Sequence, residues 1–333
     1  MVLGLLGLSC FVVGCPGEEA GRPDAGDGGG AGLPCDLPPD QSTPLPQPPG
    51  DVFSLSPDWD GGYYALISTC SVDPAASYDN PCTGGGWDQS IWHLALPGNW
   101  TQVSPGLGAF AAAGIYGIGA GPVWTPGHLL FADCSNDCTV ASLALDGGAS
   151  EEVGPFSQEQ GPAEESLSLS WNANMGLVAS ASYWGLHGPV AGGLYRQDDD
   201  GGWSQLSNAV PFASGVAALG DQVYWIGLDG WAGVNAPQVA IKNLDGGSWS
   251  IGYPATAGAS LVALRPGVFV ANPGTSPLLL VGEGDVMPLT DCQTLVFAFA
   301  AYGDHAIIYS AFTPSWQLDG GDQVARLRML EIP

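Results

Sequence analysis

Beyond about residue 50 the chain alternates apolar and polar positions in short runs broken by Gly, Pro, Asp and Asn, and no stretch keeps a helical period. QVAIKNLDGGSWSIGYP, starting at Gln238, is typical: an alternating run, a turn, and a second run. TVASLALDGGASEEVGP from Thr139, AGGLYRQDDDGGWSQLSN from Ala191 and SIWHLALPGNWTQVSP from Ser90 share that layout, and LLLVGEGDVMPLT from Leu278 is a shorter member. Asp-Gly and Gly-Gly supply the positive backbone angles of tight hairpins. The tetrapeptide Leu-Asp-Gly-Gly, beginning at Leu145, Leu244 and Leu318, therefore predicts turns whose aspartates serve backbone geometry. An aromatic residue just past the turn, Trp100, Trp203 or Trp249, is suited to cover a neighbouring sheet.

Each such hairpin follows another. GVAALGDQVYWIGL from Gly215 pairs a run of small apolar residues with a run of larger ones, as do VFSLSPDWDGGYYALIS from Val52, SLSLSWNANMGLVASAS from Ser166, SLVALRPGVFVANP from Ser260 and LVFAFAAYGDHAIIYS from Leu295. A looser version with a long insertion starts at Ala109. Six four-stranded units result, beginning near residues 52, 109, 166, 214, 259 and 295. Their lengths, roughly 36 to 57 residues, bracket those of propeller blades. First strands rich in Ala, Ser and Gly suit a crowded axis, and later strands carry the Trp and Tyr needed where blades splay apart. The pattern resembles, in architecture, the β-propeller repeats of the WD40, kelch and TolB-like families, although none of their diagnostic signatures is present. The expectation is an all-β fold, a six-bladed β-propeller of four-stranded blades, with seven blades or a β-sandwich array as alternatives.

A propeller must join its last sheet to its first or leave an exposed edge. The last unit ends with VARLRMLEIP, a third strand without a fourth, and its Leu318 turn falls earlier in the blade than the other two copies do. QSTPLPQP, residues 41 to 48, is the expected missing strand. The propeller domain is thus placed at 41–333.

Composition refines the picture. The chain has 333 residues, 51 glycines and 28 prolines, yet 45% of it is hydrophobic and 12 residues are tryptophan, which fits a folded protein of many strands and turns. Acids outnumber bases 33 to 6, with one lysine, Lys242, for a formal net charge of -27. Such a surface repels phosphate backbones and excludes nucleic acid as a partner. After the leader no apolar run is long enough to span a membrane.

The first residues, MVLGLLGLSCFVVGC, contain an apolar core of signal-peptide length. Val12-Val13-Gly14-Cys15 resembles a bacterial lipobox, which implies a signal peptide over 1–15 and a lipid on Cys15, with no positive charge ahead of the core. Residues 16–40 are a Gly-, Pro- and Asp-rich linker with too few bulky apolar side chains to offset ordering entropy. The expected location is the bacterial cell envelope, lipid-anchored at the outer membrane or cell surface, with the membrane reached through the anchor only.

Six further cysteines in an exported chain point to disulfides. Six allow 15 connectivities. Spacing favours Cys134 with Cys138 and Cys70 with Cys82, and elimination leaves Cys35 with Cys292, a closure worth roughly 5 kcal/mol in the chain-entropy model.

Candidate chemistry is sparse. Ser56-Pro57-Asp58-Trp59-Asp60-Gly61 resembles the oxygen-ligand loops of calcium sites in integrin-type propellers, which implies Ser56, Asp58 and Asp60 as ligands. Tyr64 stands where a later carboxylate belongs, and an Asx-Gly turn explains the same residues. Asp198-Asp199-Asp200 reads as a solvated hairpin tip, and Asp304-His305 as a turn whose side chains would diverge in a strand. His93, His128 and His187 are scattered among different units. No nucleophile elbow, paired-histidine metal motif or phosphate loop occurs, so no catalytic residue is assigned and no cofactor beyond calcium is implied. The expected role is binding or scaffolding, as a monomer, of an envelope protein, peptide or glycan. The competing class is an extracytoplasmic hydrolase or lyase acting on polysaccharide, which requires two carboxylates converging in the central funnel.

Overall fold

The computed structural model describes residues 42–58, 61–68, 89–104, 123–133, 139–145, 150–155, 164–185, 188–207, 213–229, 238–251, 259–272, 277–282, 285–290, 295–312 and 326–332, all within the unit Cys35–Pro333. Every regular element among them is a strand. After β1 (Thr43–Pro44), the first blade is β2 (Asp51–Pro57), β3 (Gly62–Ser68), β4 (Gln89–Ala95) and β5 (Trp100–Ser104). The second is β6 (Val123–Thr125), β7 (His128–Asp133), β8 (Thr139–Ala144) and β9 (Ser150–Pro155), and the third is β10 (Glu164–Asn172), β11 (Gly176–Gly185), β12 (Gly188–Gln197) and β13 (Trp203–Ser207). The fourth is β14 (Ala213–Leu219), β15 (Gln222–Asp229), β16 (Gln238–Asn243) and β17 (Ser248–Ser250), and the fifth is β18 (Ser260–Arg265), β19 (Val268–Asn272), β20 (Leu279–Val281) and β21 (Val286–Pro288). The sixth combines β22 (Leu295–Tyr302), β23 (Ala306–Phe312) and β24 (Arg326–Glu331) with β1.

Each blade is an antiparallel meander, and the first strands β2, β6, β10, β14, β18 and β22 touch one another in sequence around a closed ring. The fold is therefore a six-bladed β-propeller, with neither a seventh blade nor a sandwich array. One boundary is corrected: the second unit, expected near residue 109, has Val123–Thr125 as its innermost strand. The insertion precedes that strand rather than interrupting it, because the turn Pro126-Gly127, with Gly127 at φ 83°, pairs Thr125 directly with His128.

Six apolar clusters fill the six spaces between blades. Alternation explains this: successive side chains of one strand point to opposite faces of the sheet, and each face meets a different neighbour. In β11, Val178 packs toward Val216 and Trp225 of the fourth blade, while Ala179 and Ala181 pack toward Leu130 and Val140 of the second. The aromatics just past the turns do cover neighbouring sheets. Trp249 meets Phe269 of the fifth blade edge to face at 5.1 Å, and Trp203 and Trp100 pack into the second–third and sixth–first spaces.

The serines of the inner strands serve more than crowding. Ser168 Oγ accepts the N–H of Val216 at 3.2 Å, Ser170 Oγ that of Ala218 at 3.0 Å, and Ser56 Oγ that of Trp124 at 2.8 Å. The matched two-residue steps of Ser168/Ser170 and Val216/Ala218 mean that these inner strands run parallel. Where the fourth and fifth blades meet, the backbones come closer still. Gly215 has φ 54°, and a Cβ there would lie 2.7 Å from Ser260 Cα, so only glycine fits both the angle and the gap.

Ring closure follows the expectation that residues 41–48 complete the last blade. Thr43 pairs with Met329 and Pro44 with Arg328, and Leu45 N–H donates to Leu327 O at 3.1 Å. This two-residue ladder is reinforced by side chains. Gln47 Nε2 donates to Leu327 O and its Oε1 accepts from Leu327 N–H, both at 3.3 Å, while Trp100 Nε1 donates to Pro46 O at 2.9 Å. Arg328 Nε donates to the buried Ser42 Oγ and its Nη2 to Ser42 O at 3.1 Å, and Tyr309 Oη donates to Ser42 Oγ at 3.2 Å.

Candidate functional site: the central channel and its hairpin mouth

The loop proposed from sequence as a calcium site belongs to a recurring turn. In it Asp58 N–H donates to Gly62 O at 3.0 Å, Gly62 N–H donates to Asp58 Oδ1 at 2.7 Å, and Gly61 has φ 90°. The LDGG turn of the fourth blade repeats the arrangement: Asn243 N–H to Gly247 O at 3.1 Å, Gly247 N–H to Asn243 Oδ1 at 2.6 Å, and φ 86° at Gly246. The DDDGG turn of the third blade has Asp198 N–H to Gly202 O at 2.8 Å and φ 84° at Gly201, but there Asp200 Oδ1 accepts the Gly202 N–H at 3.0 Å. All three are three-residue hairpin loops with glycine in the left-handed position. They share an Asx-x-Asp-Gly-Gly spelling in which an Asx side chain holds the backbone. In the LDGG copy the holding oxygen belongs to Asn243 rather than to the aspartate of the tetrapeptide. Residues 146–148 of the copy beginning at Leu145, the whole copy at 318–321, and Asp60 lie outside the described residues.

The described side-chain oxygens of this candidate calcium loop take part in hydrogen bonds within the protein. Ser56 Oγ accepts from the second blade, Asp58 Oδ1 accepts from Gly62, and Asp58 Oδ2 accepts from His93 Nε2 on β4. Among the described residues no group of three or more His, Cys, Asp or Glu side chains gathers that could hold a metal ion. Gly62 makes the Asp58–His93 contact possible, because a Cβ there would lie 2.8 Å from both Asp58 Oδ2 and His93 Nε2. Sequence reasoning singled out Asp58 but not its partner, which lies 35 residues away on the third strand. Tyr64 opposite His93 in the register, its ring 4.6 Å from the imidazole, marks the position.

Beside Asp58 the six inner strands enclose a channel of about 680 Å³, inside the roughly 300–1,000 Å³ range of small-molecule sites. Ala, Ser, Val and Leu form most of its wall, as the small-residue pattern of the first strands predicts. At the mouth formed by the first hairpins the lining changes. There Asp58, Trp124, Trp171 with Asn172, and Tyr302 stand at or near the ends of β2, β6, β10 and β22, while β14 and β18 offer Leu219 and Leu264. Trp124 and Trp171 meet edge to face across the boundary of the second and third blades, with centroids 5.9 Å apart. Tyr302 stacks on Tyr63 at 6.0 Å, and the Tyr63 hydroxyl donates to Ala301 O at 3.0 Å. Burial above all, then the proximity of Tyr302 and Asp58, pushes the Tyr63 phenol well above its ordinary range. Asp58 is the one carboxylate among the described lining residues, which include no lysine, arginine or histidine.

Other candidates sit elsewhere. Asp198 accepts from Ser204 and lies 3.8 Å from Arg196 on the exposed tip of the third blade. Asp304 and His305 occupy a hairpin tip, as expected of a turn, but their side chains meet: Asp304 Oδ1 is 2.9 Å from His305 Nδ1, since a turn relaxes the strand alternation. That hydrogen bond is the main reason the Asp304 carboxyl is held below its usual range, and both groups are largely exposed. His128 starts β7, on the far side of the turn from Thr125. Cys15, Cys35, Cys70, Cys82, Cys134, Cys138 and Cys292, with the expected signal peptide over 1–15, the expected linker over 16–40 and His187, lie outside the described residues.

No protein-family model matches the chain, and no curated protein does. Solved structures do resemble it. A Penicillium chrysogenum α-L-arabinanase complexed with arabinobiose aligns with a TM-score of 0.52 at 14% identity, covering 87% of this chain and 97% of that one. A putative gluconolactonase aligns at 0.51 and 12% identity, covering 89% and 94%. A luciferin-regenerating enzyme aligns at 0.50 and 13% identity, covering 84% and 92%. At such identities the likeness is one of fold: the chain shares the β-propeller architecture of these proteins over most of its length.

Proposed function

We propose that the protein is an exported β-propeller, tethered to the bacterial envelope through a lipid on Cys15, that acts as a binding module. Its central channel receives part of an envelope protein, a peptide or a glycan. The observation that carries the reading is the lining: a channel of ligand size whose single described carboxylate is already held by Gly62 and His93. A hydrolase would place two carboxylates about 5 to 9.5 Å apart across a bound sugar. The resemblance to an arabinanase is the observation that favours this second reading.

Capture from envelope extracts tests the first reading. The intact protein is expected to retain a partner that a Trp171→Leu variant, with a smaller aliphatic side chain in place of the indole at the mouth, releases. Equal retention by the two would move the site away from the channel. Release of reducing sugar from arabinan or a related polysaccharide, abolished in Asp58→Asn, would replace binding with hydrolysis. Fatty-acid labelling of cells tests the anchor, and a Cys15→Ser chain that is labelled and fractionates like the original would remove it.

A further inference from the structure

The channel is chemically lopsided, and the asymmetry selects a ligand. Three part-exposed aromatic side chains, Trp124, Trp171 and Tyr302, line the hairpin mouth together with Asp58, whereas the fourth and fifth blades contribute aliphatic groups. No cationic side chain stands among the described lining residues. The whole chain carries a formal charge of -27, and a narrow, low-dielectric cleft focuses such a field at its opening. An anion is repelled from this mouth, and a strongly hydrated ion gains little from aromatic walls. A weakly hydrated organic cation gains twice, from the quadrupoles of the rings and from the carboxylate beside them. Asp58 is suited to the second role, because its hydrogen bonds to Gly62 N–H and His93 fix its carboxyl group in the wall.

We propose that the hairpin mouth of the channel is a binding site for a quaternary ammonium head group. Trp124, Trp171 and Tyr302 supply the aromatic surface, and Asp58 supplies the charge. The inference rests on the reading of the channel as a ligand site and adds the class of group that enters it. The same head group occurs free and in phospholipid fragments, and the field argument favours the free form, since a neighbouring phosphate would meet the negative potential.

Titration of the full-length protein with choline and with its neutral carbon isostere 3,3-dimethylbutan-1-ol, followed by tryptophan fluorescence and calorimetry, tests the proposal. Choline is expected to bind about 2- to 30-fold more tightly than the isostere, the span of cation–π contributions from exposed to desolvated settings. The preference should weaken as salt rises. Trp171→Leu should abolish it, Trp171→Phe should keep most of it, and Trp249→Leu, in the outer hairpin of the fourth blade, should leave it unchanged. Glycerophosphocholine should bind more weakly than choline; tighter binding would assign the head group to a lipid source while preserving the cation site. Equal affinity for choline and the isostere, both lost in Trp171→Leu, would overturn the cation and leave the channel as a site for neutral ligands. Should neither probe bind the intact protein, the ammonium site is refuted, whereas capture of an extract component dependent on Trp171 would still uphold the channel. If Trp171→Leu fails to fold, the choline-to-isostere ratio on the intact chain and on Trp171→Phe decides.

Discussion

Two seams of the ring are built differently. Between the third and fourth blades the chain runs on directly, and the join is stitched close to the axis: Ser168 and Ser170 bond Val216 and Ala218, and Asn172 Nδ2 and Asn174 Nδ2 reach Gly220 O and Asp221 Oδ1, each at 3.2 Å. The partners are 47 or 48 residues apart. Between the sixth and first blades Tyr63 bonds Ala301 near the axis and an apolar cluster fills the space, while the chain that links the two blades is anchored by residues 42–47 clasping β24, across 280 residues in the Gln47–Leu327 pair. Closing the longer loop costs about 1.5 kcal/mol more than closing the shorter. That margin is small beside several hydrogen bonds at roughly 1 kcal/mol each. The clasp can therefore hold the ring with a two-residue ladder, because its side chains multiply the contacts that the backbone makes.

The largest expected effect comes from removing the clasp. A chain starting at residue 49 should lose on the order of 5 kcal/mol relative to one starting at residue 41, from the hydrogen bonds of Ser42, Leu45, Pro46 and Gln47. It should also self-associate through the bared edge of β24. Denaturant midpoints and light scattering measure both, and equal midpoints would mean that the clasp is dispensable. The third–fourth seam should respond less. Ser168→Ala with Ser170→Ala leaves two amides without acceptors, at about 2–4 kcal/mol together, and hydrogen exchange should quicken at Val216 and Ala218 while the sixth–first seam keeps its protection. Exchange spread evenly around the ring would show the seams to be coupled.

The smallest effect sharpens the comparison through pH. Tyr63→Phe removes the bond to Ala301 across the sixth–first seam and should cost about 1 kcal/mol near neutrality. The folded-state pKa of this phenol is raised, chiefly by burial, so the stability tied to its protonation is complete below the unfolded value of about 10 and falls as pH climbs past it. Urea midpoints between pH 8 and 11.5 should decline for the natural chain and decline less for Tyr63→Phe, so that the two converge. Parallel curves would mean that Tyr63 does not control the alkaline behaviour.

The architecture was legible because it is written in local patterns. Alternation and Gly-rich turns mark the strands, their repetition marks the blades, and the unpaired VARLRMLEIP together with QSTPLPQP marks the closure. The short inner strand Val123–Thr125 escaped, because a three-residue run has too few positions to display a period. The site was less legible for a related reason. Asp58 meets His93, and Trp124 meets Trp171, only after strands far apart in sequence are brought side by side. Composition correctly placed serine at the axis, yet the hydroxyl-to-amide bonds between blades depend on the parallel run of inner strands, which no single segment encodes.

One consequence of the closure concerns where a ring begins. Since β1 and β24 pair within the same sheet, the seam is a property of where the chain was cut rather than of the blades it joins. A circular permutant that links residue 332 to residue 42 and opens between β17 and β18 would make the sixth blade continuous and put the new ends between whole blades. Termini that lie close together tolerate such rewiring. At its break the permuted ring would be held by the apolar cluster between the fourth and fifth blades, together with the close backbone approach of Gly215 to Ser260.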